Sequence, residues 1–371
     1  MTTQASVFEK LGLPKQPYLL APLAGVSDHP FRRMCADQGA HLTYVEMISA
    51  TAMLYESRRT YEMLTRHKEE EILGVQITGS SAEDVGRAVA ILHGLPFDTI
   101  DINMGCPVRK VVKTGCGSAI LRDPERVYQT VKAACAATDK PVSAKIRLGW
   151  DRQSVNAITV AQAAEAGGAA WITVHGRTRS EDYGDPVDLE GMRQVKEAVS
   201  VPVVGNGNLF QRQDIEHMKL ATGVDGFMVS RGAMGNPWIF REFADEAFRL
   251  SIDEWEHVVL AHLHRQQEAY GQHPAAAVCM RKHLLWYAKG WNGVKSFREA
   301  VNSAATLEDA EQLVREFSER IRSSDNVFRA DMIQTETAQR FAWDPKYEMD
   351  RALDRGVGDD GLDKMPEIQI N

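Results

Sequence analysis

The feature that most constrains the fold is a unit of β-rich run, turn and helical stretch that recurs between Tyr18 and about Phe240. Strands are predicted at 18–22, 42–46, 72–76, 99–103, 142–146, 171–175, 203–205 and 226–229, with helices at 82–93, 124–137 and 154–166 between them. Strands that alternate with helices pair in parallel, and eight units in roughly 220 residues is the number in a (β/α)8 TIM barrel. A doubly wound open sheet is the alternative, but no GxGxxG motif follows the first strand to support it.

After Trp238 the pattern changes to helices without strands. Apolar residues recur at helical spacing in 253–270, 275–289, 296–303 and 307–321. We therefore predict an α/β barrel at 1–240, a smaller all-helical domain at 251–322 and an acidic C-terminal extension at 323–371. No run of about 18 apolar residues occurs, so no membrane span is predicted.

The cysteine content of the chain predicts a cytoplasmic location, whereas the net charge says little about binding partners. Its five cysteines form no CxxC pair, which predicts reduced thiols in the cytoplasm. The net charge is −8, but residues 325–371 hold eleven acidic and six basic residues, a net of −5, which leaves −3 for the rest. Because the C-terminal residues dominate the net charge, the local distribution of charged residues is the better guide to binding partners.

One such patch lies in the helical domain, where residues 269–298 contain no acidic residue. The cations there are Arg281, Lys282, Lys289, Lys295 and Arg298, and the aromatic residues are Tyr270, Trp286, Tyr287, Trp291 and Phe297. Cations interleaved with aromatic rings are typical of a surface that binds RNA. The alternative is a helix bundle with an aromatic core and solvated cations.

A barrel collects its chemistry at the carboxyl ends of its strands. The residues predicted there are Pro22, Glu46, Gln76, Asn103, Lys145, His175, Asn206 and Ser230. Cys106 follows Asn103 in a Gly-Cys-Pro sequence that a strand interior rejects and a tight turn accepts. Such a cysteine is either a small buried hydrophobe or a reactive thiol. The amides, the lysine and the imidazole predicted on the same rim favour an active site.

Two loops of small residues follow the seventh and eighth predicted strands. They read Gly205-Asn206-Gly207-Asn208 and Ser230-Arg231-Gly232-Ala233. Backbone N–H groups in such loops approach a phosphate closely, and this is the usual phosphate position in the fold. Lys145 fits a Schiff-base nucleophile or a cation opposite an anionic cofactor.

Six motifs in order resemble those of the tRNA-dihydrouridine synthase family, most closely its bacterial DusB-like branch. They are APLAGVSD at 21–28, DINMGCP at 101–107, KIR at 145–147, HGRTR at 175–179, NG at 206–207 and GNPW at 235–238. The resemblance covers roughly residues 18–322. Arg281-Lys282-His283 resembles the basic start of a helix in the family's RNA-binding domain. Asn208 and Ser230 stand where the family commonly has an acidic residue and a glycine.

The resemblance implies an enzyme that reduces uridines in tRNA to 5,6-dihydrouridine with FMN and NAD(P)H, NADPH being the expected donor. A hydride from the flavin would reach C6 of uracil, and Cys106 would protonate C5, with no metal. By motif, the flavin contacts are Pro22, Leu23, Ala24, Gln76, Lys145 and His175, and the phosphate contacts are Asn206, Gly207, Asn208, Ser230 and Arg231. The tRNA contacts are Asn103 and Arg177 at the uracil, with Arg281, Lys282 and His283 in the helical domain.

An acid must stay protonated, so Cys106 needs an apolar site. Cations near the thiol would lower its pKa, so we predict that Arg109, Lys110 and Lys113 face outward, toward RNA phosphates. Separately, we predict that the protein is monomeric. Three alternatives stay open: an FMN barrel acting on a small molecule, as in a dihydroorotate-dehydrogenase-like enzyme, a Schiff-base lyase using Lys145, and a non-enzymatic RNA-binding barrel.

Overall fold

The computed structural model describes residues 6–271, 273–324 and 328, and the strands among them form one parallel sheet. They are β1 (Tyr18–Leu20), β2 (Thr43–Tyr44), β3 (Ile48–Ser49), β4 (Leu73–Thr78), β5 (Thr99–Asn103), β6 (Val142–Arg147), β7 (Trp171–His175), β8 (Val203–Asn206) and β9 (Gly226–Val229). Their order is β1-β9-β8-β7-β6-β5-β4-β2, and β3 pairs with β4 off this path. All eight predicted strands are present, and β3 is the addition.

The sheet closes into a barrel between its first two strands. Leu19 and Leu42 form a parallel bridge, and the N–H of Leu20 donates to the Leu42 carbonyl at 2.9 Å. The N–H of His41 donates to the Tyr18 carbonyl at 2.8 Å. Closure excludes the open doubly wound sheet and confirms the (β/α)8 barrel.

Helices precede, connect and follow the strands of the barrel. They are α1 (Val7–Lys10), α2 (His29–Asp37), α3 (Ala50–Leu54), α4 (Arg58–Met63), α5 (Ala82–His93), α6 (Arg109–Lys113), α7 (Pro124–Ala136), α8 (Ala157–Ala166), α9 (Leu189–Ala198), α10 (Arg212–Thr222) and α11 (Ile239–Ala244). Two predicted starts are correct because Ser81 and Asp123 accept hydrogen bonds from the first turns of α5 and α7. The third is wrong by three residues, since Ser154 instead donates to the Asp151 carboxylate at 2.7 Å.

Four further helices form the predicted helical domain, each within two residues of its predicted bounds. They are α12 (Ile252–Tyr270), α13 (Pro274–Tyr287), α14 (Lys295–Ser303) and α15 (Leu307–Arg322). Their core is aromatic: the Phe317 ring lies 4.6 Å from that of Phe297 and 5.2 Å from that of Trp255. None of the helices in the described ranges is long and apolar enough to cross a membrane.

The aromatic residues of 269–298 belong mainly to this core. Trp286, Tyr287, Trp291 and Phe297 are at most 5% exposed, whereas Tyr270 is 37% exposed. The hypothesis of an exposed aromatic surface is therefore wrong for four of the five rings. The helical spacing directs Tyr287, Trp291 and Phe297 into the bundle, as the alternative interpretation holds, and Trp286 packs against the barrel core.

The helical domain packs on α2 and on the loop after β9. Gly235 in that loop has φ +69, and a Cβ there would lie 2.3 Å from the carbonyl carbon of Trp286 on α13. Arg265 on α12 pairs with Asp37 at 2.5 Å. Phe328 packs against the rings of Trp238 and Trp291. The predicted extension otherwise falls outside the described residues, apart from positions 323 and 324.

Candidate active site

A chain of hydrogen bonds crosses β4, β5 and β6 inside the barrel. Gln76, Asp101 and Ser143 are register partners on these strands. Ser143 Oγ donates to Asp101 Oδ1 at 2.5 Å, and Gln76 Nε2 donates to Asp101 Oδ2 at 2.7 Å. Gln76 Oε1 in turn accepts from Asn103 Nδ2 at 2.8 Å. The alternation of β5 points Asp101 and Asn103 inward, while its isoleucines pack outward against the helices.

Asn103 holds the turn that carries Cys106. Its Oδ1 accepts from the N–H groups of Gly105 at 3.1 Å and Cys106 at 2.9 Å. On the other side of the turn, Ser118 donates to the Cys106 carbonyl from its N–H at 3.1 Å and from its Oγ at 3.0 Å. A Cβ on Gly117 would lie 2.7 Å from the same carbonyl oxygen, so this position needs a glycine. The half-buried thiol is therefore fixed just beyond β5.

The surroundings of Cys106 keep its thiol protonated. Burial raises the pKa of Cys106, and the charges of Arg147 and Lys145 oppose this rise only in part. Arg109, Lys110 and Lys113 of α6 are exposed to solvent, as predicted, and their contact with RNA phosphates stays a prediction.

Lys145 reaches from β6 to β8. Its Nζ donates to Asn206 Oδ1 at 2.8 Å, and Asn206 Nδ2 donates to the Met228 carbonyl at 2.7 Å and to Ser230 Oγ at 3.1 Å. Burial, with the nearby charge of Arg147, lowers the pKa of Lys145 to about 7. An anion bound beside Nζ would favour the charged form again.

The two loops of small residues lie against each other. Gly207 has φ +126, and Asn208 has φ +50, one of two non-glycine residues in the described ranges with positive φ. A Cβ on Gly232 would lie 2.0 Å from the Leu209 carbonyl oxygen, so only glycine allows this contact. The loops after β8 and β9 thus form one backbone-lined surface, next to Arg231, whose guanidinium lies 4.2 Å from the ring centroid of Tyr183.

His175 ends β7 as a neutral imidazole. It is 7% exposed, and burial together with the charge of Arg147 holds its pKa well below its usual range. Gly207 fits against the ring, where an added Cβ would lie 3.2 Å from Cδ2. His175 therefore offers hydrogen bonds to a ligand but no charge.

Arg177 secures the loop after β7. It is fully buried, and its Nη2 donates to the Tyr183 carbonyl at 3.1 Å and to Asn208 Oδ1 at 3.0 Å. Its Nε donates to the Asp185 carbonyl at 3.0 Å. The contact of Arg177 with uracil stays a prediction, and in the described conformation its guanidinium ties this loop to the loop after β8.

The three basic residues at the start of the helical-domain motif lie in different surroundings. Arg281 Nε donates to the Ala304 carbonyl at 2.9 Å, and Lys282 Nζ bonds the Gly25 carbonyl in the loop after β1. His283 is 2% exposed and packs between the domains, so it presents almost no surface to RNA. The same loop after β1 carries the predicted flavin contacts Pro22, Leu23 and Ala24.

Sequence reasoning missed Asp101, Ser143, Ser118 and Arg147 as parts of the site. Arg147 Nε donates to the Gly105 carbonyl at 2.9 Å, which braces the cysteine turn from β6. The alternation of β5 could have identified Asp101, because it shares the inward face with Asn103. The partner of Asp101 on β4 depends on strand register, which the sequence does not display.

The comparison with known families decides what kind of barrel this is. The dihydrouridine synthase (Dus) family matches residues 19–322. This chain belongs to that family. The tRNA-dihydrouridine synthase B of Pseudomonas syringae pv. tomato is 38% identical over 305 residues, 81% of this chain and 90% of the relative. That of Pasteurella multocida is 35% identical over 306 residues, 81% of this chain and 91% of the relative.

The resemblance to the DusB-like branch of the Dus family is thus confirmed. A solved amine oxidase from Pseudomonas geniculata N1 aligns with 61% of this chain and 46% of its own at 14% identity, with a TM-score of 0.47, which supports no conclusion. Within the ranges that the structure describes, no three His, Cys, Asp or Glu side chains converge in a way that could hold a metal ion.

Proposed function

We propose that this protein reduces uridines in tRNA to 5,6-dihydrouridine with FMN as its cofactor and NADPH as the electron donor. The observation that carries the proposal is the position of Cys106, whose pKa burial raises, on the same barrel rim as a backbone-lined double loop and a half-buried lysine. Membership of the Dus family and relatives named tRNA-dihydrouridine synthase B support the same reaction.

The residues of the rim fit FMN. The loops around Gly207 and Gly232 leave no room for side chains, so their N–H groups can take the phosphate, with Arg231 beside them. Lys145 lies between these loops and Gln76, where its Nζ would face an anionic ring or ribityl chain. Pro22, Leu23, Ala24, Gln76 and His175 would line the ring. When bound, reduced FMN supplies the hydride that reaches C6 of uracil.

Cys106 completes the reduction. As negative charge develops at C5, the protonated thiol donates its proton there, and bulk solvent restores the thiol. The raised pKa keeps the proton on Cys106 until the carbanion forms. A cysteine that acts as a nucleophile needs the opposite, a lowered pKa that yields the thiolate. Asn103, next to Gln76, would hold the uracil, with Arg177 behind it.

The base must leave the stacked tRNA to enter a barrel mouth. Exposed cations on α6, with Arg281 and Lys282 of the helical domain, would hold the tRNA backbone around it. In this proposal, residues 1–240 form the catalytic barrel, 251–322 form the tRNA-binding domain and 323–371 form an extension. The protein acts as a monomer in the cytoplasm, where tRNA and reduced thiols such as its five free cysteines occur.

The test starts with the purified protein and its visible spectrum. A bound flavin released by heat and identified as FMN excludes the Schiff-base lyase. NADPH and unmodified tRNA are then added, and dihydrouridine is mapped by mass spectrometry, with free uridine monophosphate as the matched control. Dihydrouridine in tRNA alone supports the proposal. Equal reduction of the mononucleotide favours the small-molecule alternative, and a flavoprotein that leaves tRNA unchanged overturns the proposal.

A further inference from the structure

We propose that Asp101 is a positioning residue that fixes which way the Gln76 and Asn103 carboxamides face, so that Gln76 presents a donor to the flavin and Asn103 holds the Cys106 turn. This proposal rests on the proposed function, because it assigns Asp101 a part in that site. The argument needs only the hydrogen bonds and the burial of these side chains.

A carboxamide has a donor end and an acceptor end, and its partners decide its orientation. An ionised carboxylate only accepts. Asp101 Oδ2 lies 2.7 Å from one end of the Gln76 carboxamide, so that end must be Nε2. The Oε1 end then meets Asn103, which must turn Nδ2 toward it at 2.8 Å.

The orientation of the Asn103 carboxamide determines how the turn that carries Cys106 is held. With Nδ2 on Gln76, Asn103 Oδ1 faces the N–H groups of Gly105 and Cys106, at 3.1 and 2.9 Å. Two backbone donors require an acceptor at this end, so the bonds agree along the whole chain from Asp101 to Cys106. A reversed Gln76 would oppose oxygen to oxygen at Asp101 and nitrogen to nitrogen at Asn103.

The same chain decides what Gln76 offers a ligand. Asp101 takes one Nε2 hydrogen and Asn103 takes one lone pair of Oε1, which leaves one Nε2 hydrogen and one Oε1 lone pair. Gln76 is 1% exposed, so few other partners reach it. The remaining Nε2 hydrogen is the one donor that Gln76 can offer, and it suits an acceptor atom on the rim of the flavin ring.

Asp101 is enclosed by groups that suit this role. It is fully buried, and Ser143 Oγ donates to its second oxygen at 2.5 Å. The Lys145 cation acts favourably on its charge, whereas burial raises its pKa and the neighbouring Tyr44 phenol stays neutral. Asp98, the nearest acidic residue in sequence, instead accepts from the Leu73 N–H at the start of β4 at 2.8 Å. Asp101 is therefore the acceptor from which the chain starts.

Exchanging donor and acceptor tests the proposal. In Gln76→Glu, two carboxylates face each other where the wild-type Gln76 amide donates to Asp101 at 2.7 Å. Their repulsion moves the new carboxylate away from Asp101 and out of reach of Asn103, so the Cys106 turn loses its anchor. In the double variant Gln76→Glu with Asp101→Asn, the new amide donates to the new carboxylate, which still accepts from Asn103. The double variant thus rebuilds the chain but has no donor to offer the flavin. Ser143→Ala is the matched control, because it removes a bond to Asp101 without reversing any carboxamide.

The first readout is the rate at which iodoacetamide alkylates Cys106 in the flavin-free protein, followed by mass spectrometry. We expect an increase of about tenfold in Gln76→Glu, as for loss of one hydrogen bond to a charged group. In the double variant and in Ser143→Ala we expect rates within about twofold of the wild type. A Gln76→Glu protein that fails to fold beside a folded double variant supports the same conclusion. Equal rates in Gln76→Glu and the wild type, or in Gln76→Glu and the double variant, overturn it.

The second readout is FMN affinity and the midpoint potential of the bound flavin. The double variant should bind FMN about tenfold more weakly, with a lower potential, although its cysteine turn is intact. Wild-type affinity and potential in the double variant overturn the donor role of Gln76. The alkylation experiment uses neither flavin nor tRNA, so it still tests Asp101 if the wild type makes no dihydrouridine and the proposed function fails.

Discussion

Lys145 on β6 donates a hydrogen bond from Nζ to Oδ1 of Asn206 on β8, 2.8 Å away across β7. This bond places the half-buried Lys145 between the loops that follow β8 and β9 and the hydrogen-bonded chain of Gln76 and Asp101. The interior of the barrel thus carries its charge where an anionic cofactor would need it.

FMN affinity should therefore decrease as the pH rises. Burial lowers the pKa of Lys145 to about 7 in the free protein, and an anionic ligand prefers the charged form. Above about pH 7, binding must take up a proton, so the Kd should rise by at most about tenfold per pH unit. Flavin fluorescence titrations up to about pH 9 measure this. Lys145→Met should bind weakly with a flat profile over this range, and a flat profile in the wild type would contradict the role of Lys145.

Replacing Cys106 by Ala should slow dihydrouridine formation by about 10²–10⁴-fold, the usual contribution of a general acid. Reoxidation of the reduced flavin by tRNA in a single turnover measures the step directly. Cys116→Ala is the control, since Cys116 is buried nearby and has no proposed role. Because burial raises the pKa of Cys106 above the ordinary value of about 8.5, the wild-type rate at saturating FMN should stay level through about pH 8.5. Loss of activity below that pH would show that the thiol ionises too easily to serve as the acid.

Lys110→Ala should weaken tRNA binding and lower its salt dependence. Each lost phosphate contact reduces the slope of log K against log salt by about 0.7–0.9. Lys219→Ala is the matched control, because this exposed lysine lies near the end of α10, on the opposite side of the barrel from α6. Filter binding at several ionic strengths distinguishes the two. Equal slopes for both variants would remove α6 from the tRNA surface.

Gly235→Ala should loosen the joint between the domains. The new Cβ would meet the backbone of Trp286 at 2.3 Å at a position with φ +69, which together cost roughly 2–5 kcal/mol in the free energy of unfolding. Gly293→Ala isolates the backbone strain, because its φ is +70 but nothing lies within 4 Å of its added Cβ, so it should cost about 1–2 kcal/mol. Urea denaturation gives both values. Similar losses would mean that the loop shifts away without cost.

Glu70→Gln should destabilise the barrel by about 3–5 kcal/mol, because it leaves Arg32 buried without its partner charge. The two side chains, at most 5% exposed, form paired bonds of 2.6 and 3.0 Å. Glu190→Gln, which breaks an exposed ion pair with Arg193, is the control and should leave unfolding unchanged. A Glu70 variant as stable as its control would show that water reaches the Arg32 guanidinium.

Much of the site could be predicted because barrels place chemistry at strand ends. Gln76, Asn103, Lys145, His175 and Asn206 are at the end of a strand or one or two residues before it, and all face the interior. The orientation of side chains beyond the strands could not be predicted, since it depends on packing between elements distant in sequence. His283 is the clearest case, a residue in a basic motif that the domain interface buries.

The sequence by itself determined the architecture and the position of the cysteine. Eight alternating strands and helices commonly close into one architecture, the (β/α)8 barrel. The Gly-Cys-Pro sequence can follow a strand but cannot continue it, which places the cysteine just after β5. Only the tertiary structure decided how Cys106 is held and how its proton is kept. Strand register brings Asp101 to Gln76 and Gln76 to Asn103, and burial raises the pKa of the thiol. The hold on Cys106 and the burial of its thiol depend on residues of β4, β5 and β6. These residues are distant in sequence, so no local sequence pattern predicts their contacts.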